Sequence, residues 1–298
     1  MFRTIPLAQT SAALACSALF CSCRAPEWYS KDSKSPELPA DVAFNKEAGH
    51  GDDLFITVRS ENGENWLFGV DTGGPVTVLD ESFEGRLGKH LSAKQIQTGW
   101  MGEIPIGVFA SPKLYLGKTP LVMGDDVWTT DLSRFSYRHR MMGVLGMDCL
   151  RHYCLQLDFA ADKITFLDPD AVVANSGKAF PLKISQAGIT IQTAFINDAE
   201  VDSGIDSAEY LDGSLESDQF QMALNKYPET MVTQWTNANG TVFRKAQFSS
   251  CNFGGETYTN VVVREHANGG NTIGLHLLSR HLVTLNFPKR TMYLQDRP

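Results

Sequence analysis

The chain has 298 residues, 43 % hydrophobic and 20 % charged, the make-up of a globular protein with room for two domains. A formal net charge of −8 argues against nucleic acid as the main partner, because phosphate recognition needs a basic face. No Cys-x-x-Cys or His-x-x-x-His spacing occurs, so no structural metal is expected.

Residues 1–23 read as an export signal. Arg3 supplies a weak positive start, and Ile5 to Phe20 is apolar and rich in small residues, too short and mixed for a membrane span. Cys16, Cys21 and Cys23 cluster at its end. Ala13-Leu-Ala-Cys16 and Phe20-Cys-Ser-Cys23 each look like an imperfect bacterial lipobox, so membrane attachment through a lipidated cysteine and plain cleavage both stand as readings. Either one predicts an exported protein, in the bacterial periplasm, attached to the outer membrane or secreted. Residues 24–45, with Pro26, Pro36, Pro39 and mixed charge, read as a tether or pro-segment.

A first lobe is expected over 46–172. Leu54–Val58 and Trp66–Val70 read as strands joined at Asn62-Gly63, a strong hairpin signal. The pair Asp52-Asp53 and the cluster Arg138-His-Arg140 read as solvated surface. Strands continue at Ile104–Phe109, Lys113–Leu116 and Pro120–Met123, then a short helix within Met147–Tyr153 and strands at Leu155–Leu157 and Lys163–Leu167. The second lobe, 173–298, repeats the plan: Ile189–Ile196 and Glu200-Val201 form a hairpin, Glu216–Lys226 has helical composition, and Thr241–Phe248, Cys251–Phe253 and Tyr258–Val263 are strands around a Gly254-Gly255 turn. Strands dominate and helices are short, so the class is all-β. The three cysteines after the leader cannot form a fully paired framework, and Cys149 and Cys154 lie in an apolar block where buried thiols are expected.

The repeat is legible residue by residue. Gly146 to Phe159 aligns without gaps to Gly274 to Phe287, with Leu150 on Leu278 and Leu157 on Leu285. An Asp-hydroxyl-Gly triplet precedes each block: Asp71-Thr72-Gly73, 75 residues before Gly146, and Asp202-Ser203-Gly204, 72 residues before Gly274. Near-equal spacing means one unit used twice and predicts two carboxylates meeting at a pseudo-twofold axis. Such a pair can supply both a base and an acid, because close like charges resist double ionisation and one carboxyl stays protonated beside an ionised one.

Val70-Asp-Thr-Gly73, Val201-Asp-Ser-Gly204, Val144-Leu-Gly146, Thr272-Ile-Gly274 and Gly146-Met-Asp-Cys-Leu150 together resemble the aspartic peptidases, retropepsin-like or pepsin-like, in a single chain with two homologous lobes. The resemblance covers about 46–298. It implies a bilobal all-β acid-protease fold, Asp71 and Asp202 as the catalytic pair, and Thr72, Gly73, Ser203 and Gly204 as the supporting loops. Substrate-binding positions implied are Asp206, Gly74, Ile205 and Trp100, the last as a flap tip; a second flap is expected around Trp235–Gly240. It further implies no cofactor, a polypeptide substrate and a monomer. Pro75, Ile205, Ala208 and His276 depart from the family pattern. A non-catalytic peptide-binding module on the same fold is the alternative. A hydrolase of another class is a third reading, though the chain holds no Gly-x-Ser-x-Gly.

Overall fold

The computed structural model describes residues 38–98, 102–135, 139–171, 177–185, 188–197, 200–236, 242–267 and 269–296. Residues 1–37, read above as an export signal and most of a tether or pro-segment, lie outside the described residues, as do Trp100 and residues 237–241.

The described residues are mostly β, in three sheets. The hairpin at Asn62-Gly63 forms between Phe55–Ser60 and Asn65–Val70, with Gly63 at φ 89°, a backbone angle that suits glycine. From this hairpin a nine-stranded sheet grows, and an eight-stranded sheet grows from the matching hairpin of Gly188–Ala194 and Glu200–Asp206. Seven strands follow the same order in both. In the first sheet they are 55–60, 65–70, 143–145, 78–80, 126–130, 102–110 and 90–98; in the second they are 188–194, 200–206, 271–274, 213–215, 256–265, 242–253 and 231–236. The internal repeat is therefore a repeat of sheet topology.

A six-stranded sheet joins the halves. Its central strands, Cys154–Asp158 and His281–Asn286, are the equivalent strands of the two blocks, and they pair antiparallel with Gln156 opposite Thr284. Those two residues occupy the same position in the repeat, so the pseudo-twofold axis passes between them. The apolar alternation that aligned the blocks also fills the interior: Leu155, Leu157, Val283 and Leu285 are all buried.

Several boundaries move. Pro120–Met123 is strand only at Thr119–Pro120, and Thr241–Phe248 with Cys251–Phe253 is one strand, Val242–Phe253. The largest change is at Glu200, where the strand continues to Asp206 instead of turning at Asp202. Asp52 and Asp53 are buried, not solvated: Asn45 and His139 reach into the bend that carries them. Cys149, Cys154 and Cys251 are free and buried, and burial raises all three thiols, Cys154 to about 11 and Cys251 to about 12.

Candidate active site

Strand Asn65–Val70 ends where its parallel neighbour Gly143–Leu145 ends, with Val70 opposite Leu145. The Asp71 N–H still donates to the Leu145 carbonyl at 2.9 Å, and the chain then turns. In the second lobe Ile205 lies opposite Ile273 and Asp206 opposite Gly274. Since Gly274 is the counterpart of Gly146, the residue at the strand end equivalent to Asp71 is Asp206.

The local bonding agrees. Asp71 Oδ1 accepts the Gly73 and Gly74 N–H groups, each at 2.8 Å, and Asp206 Oδ1 accepts the Ala208 N–H at 2.9 Å. Both carboxyls lie against the Gly73-Gly74 turn. A Cβ on Gly73 would stand 3.0 Å from Asp206 Cγ, and one on Gly74 would stand 2.7 Å from Asp71 Oδ2. Glycine at both positions is what admits two carboxyls to one place.

Two buried hydroxyls cross-tie the loops. Thr72 Oγ1 donates to the Ile205 carbonyl at 2.7 Å and accepts the Ser207 N–H at 3.1 Å. Ser207 Oγ donates to the Val70 carbonyl at 2.7 Å and accepts the Thr72 N–H at 3.0 Å. This reciprocal set spans the pseudo-twofold axis and fixes one aspartate relative to the other.

Asp202 is therefore corrected as a member of the pair. It sits mid-strand opposite Gln192, half exposed, with Oδ1 2.7 Å from Lys183 Nζ. Ser203 and Gly204 are strand residues beside it. A Cβ on Gly204 would meet only ordinary contacts at 3.5 Å and beyond, so nothing there demands glycine. Ile205, read from sequence as lining the cleft, is buried in the core, and only its carbonyl serves the site. Gly74 supports Asp71 through its N–H. Trp235 stacks on Phe243 at 5.5 Å, ordinary packing within a hairpin.

Sequence reading missed Asp206 as a pair member, together with Ser207, Glu209, Arg264 and Asp53. One signal was present: Ile205-Asp-Ser207 repeats the apolar-Asp-hydroxyl order of Val70-Asp-Thr72, without the glycine.

The site is rich in buried acid. Burial, then Asp71, then Glu209 hold the Asp206 carboxyl well above the usual carboxylate range. Glu209 is fully buried, with Oε2 2.5 Å from Arg264 Nε. Burial raises Glu209 and Arg264 opposes the rise. Burial followed by the charges of Asp52, Glu209 and Asp206 pushes Asp53 up to about 8. Outside this site, Glu256, His281 and Asp296 place ligand-type atoms within 4.8 Å of one another. His281 Nε2 there already faces the Tyr258 hydroxyl at 2.9 Å.

The departures at His276 and Asp148 form a compensated exchange. In the first lobe, Asp148 Oδ1 accepts the Thr77 N–H and Oγ1 at 2.7 and 2.8 Å, tying the loop to the helix Met147–Leu150. In the second lobe, His276 Nδ1 on the helix Leu275–Leu278 lies 2.9 Å from Asp212 Oδ1, which also meets Arg280 at 2.9 Å. Acid and partner have changed places between loop and helix.

Comparison with known proteins agrees with this architecture. The fold is an aspartic-protease-like, bilobal all-β one. Among solved structures it is similar to the aspartic proteinase from Irpex lacteus, with a TM-score of 0.54 and 12 % sequence identity over 87 % of this chain and 97 % of that one. No family model matches the sequence, and no curated protein matches it.

Proposed function

We propose that this chain is an aspartic endopeptidase in which Asp71 and Asp206 activate a water molecule against a peptide carbonyl. One observation carries the reading. Two buried carboxyls from equivalent strand ends meet at a single glycine turn, cross-tied by Thr72 and Ser207. Two such groups share one proton: the ionised member takes a proton from water as it attacks, and the protonated member donates toward the carbonyl oxygen and then the leaving amine. The pair titrates as a unit.

The substrate of this reading is an extended polypeptide recognised by backbone pairing and side-chain pockets. It would lie between the equivalent hairpins His90–Thr98/Gly102–Ala110 and Met231–Thr236/Val242–Phe253. Both carboxyls come from one chain, so activity is expected of the monomer. Export through residues 1–23 would place that activity outside the cytoplasm.

The test is a three-variant comparison on a peptide library, with a statine-type inhibitor as control. Asp71→Asn and Asp206→Asn are each expected to lose cleavage by roughly 10²- to 10⁴-fold, whereas Asp202→Asn keeps it. Loss in Asp202→Asn with activity retained in Asp206→Asn would overturn the pair. Peptide binding without any turnover by folded wild-type protein would favour a non-catalytic peptide-binding module.

A further inference from the structure

The lobes differ at the third residue after each aspartate of the pair. The Met147 N–H donates to the Gly74 carbonyl at 2.8 Å, and its counterpart, the Leu275 N–H, donates to the Glu209 carbonyl at 2.6 Å. Gly74 and Glu209 are therefore equivalent positions. The next helix N–H groups, of Asp148 and His276, reach Pro75 and Leu211, so the second loop is longer by one residue, Tyr210. A glutamate stands where the first lobe has no room for a Cβ.

Its placement beside the pair is built. Glu209 Cγ lies 2.9 Å from where a Cβ on Gly274 would be, and Gly274 is the register partner of Asp206. Leu211 N–H donates to Glu209 Oε1 at 3.3 Å, and Arg264 holds Oε2. Charged groups act on or with this carboxyl from the neighbouring elements: Asp206 from its own loop, Asp53 from the segment before Phe55, and Arg264 from the strand Glu256–Glu265, while Asp71 of the first lobe acts on Asp206 from its other side. Asp52 lies behind Asp53, with His139 at 2.7 Å. Donors are also unequal: two backbone N–H groups serve Asp71 Oδ1 and one serves Asp206 Oδ1.

We propose that Glu209, anchored by Arg264, is a positioning residue for the proton of the pair: its charge keeps the shared proton on Asp206 and leaves Asp71 ionised. The proposal rests on the peptidase reading above for its kinetic consequence. Its electrostatic core does not depend on turnover. A carboxylate beside Asp206 disfavours a second negative charge there, whereas the two N–H donors at Asp71 favour one.

The test follows the pH dependence of kcat/KM and, separately, the titration of the aspartate side-chain carboxyls by ¹³C NMR. In Glu209→Gln the basic limb and the Asp206 midpoint are both expected to move down by roughly one pH unit. Glu209→Asp, which keeps the charge, should return both toward wild type, an effect a packing role would not produce. If Glu209→Gln does not fold, the double variant Glu209→Gln/Arg264→Met removes the whole buried pair and should move the midpoint the same way by less. An Asp206 midpoint unmoved in the folded single or double variant overturns the proposal. Wild-type protein that cleaves nothing overturns the peptidase reading instead, and the NMR titration still decides the role of Glu209.

Discussion

At the scale of single residues, the site is set by what glycine leaves open and what burial does to acids. Gly74→Ala would place a methyl 2.7 Å from Asp71 Oδ2 and force the carboxylate aside. The peptidase activity proposed above is expected to fall by about 10²-fold, as a displacement near 1 Å can cause, with the thermal midpoint little changed. Steady-state kinetics beside a melt checks this, and full activity would show that the loop yields. Asp53 gives a pH prediction with a definite sign. Its folded pKa, about 8, is above the ordinary aspartate value of 3.8. The unfolded chain therefore binds fewer protons between those values, and the residue's penalty on stability grows as pH rises from 4 to 8. Asp53→Asn mimics the neutral acid. It should stabilise the protein more at pH 8 than at pH 4, by on the order of a few kcal/mol, read from urea unfolding at the two values. An equal effect at both would refute the shift.

At the scale of elements, each aspartate loop is tied to the short helix that follows its strand partner. Four-residue helices have little stability of their own, so these ties hold them. The first lobe uses a neutral hydroxyl on a buried acid, Thr77 on Asp148; the second uses a buried acid with two basic partners, Asp212 with His276 and Arg280. Asp212→Asn is expected to cost about 3 kcal/mol, because a fully buried ionic partner is removed. Thr77→Val should cost about 1–3 kcal/mol, the loss of one hydroxyl and its bonds. Paired chemical denaturation orders the two, and the reverse order would mean that the second-lobe network is not ionic. The two blocks and their helices were readable in sequence, since the apolar spacing from Gly146 to Phe159 and from Gly274 to Phe287 survives in both. The exchange of acid between loop and helix was not, because Asp212 and His276 are 64 residues apart and no spacing rule joins them.

At the scale of the whole molecule, neither half closes its own structure. The strand Cys154–Asp158 pairs with Lys163–Leu167 on one side and with His281–Asn286 of the other half on its other side. Ser279 Oγ donates across the halves to the Gly49 carbonyl at 3.2 Å. Separating the halves would bare a sheet edge and the Thr72–Ser207 bonds together. Unfolding in urea is therefore expected to be one transition, coincident by far-UV circular dichroism and by tryptophan fluorescence. Two resolved transitions would show that each lobe is stable alone.

The sequence by itself determined the class, the duplication and the first aspartate loop. Alternation, turn glycines and repeated apolar spacing are local signals, and Asp71-Thr-Gly73 carries its own turn. Tertiary structure alone decided which second aspartate meets Asp71. The triplet Asp202-Ser-Gly204 matched the local pattern, yet it lies in mid-strand because its parallel neighbour, Asn271–Gly274, continues pairing as far as Asp206. Where a strand ends is set by where its partner ends, a property of residues nearly seventy positions away. The same holds for the buried acids: a carboxyl at Asp53 or Glu209 looks solvated in sequence, and only packing of both lobes around it reveals the desolvation that raises it.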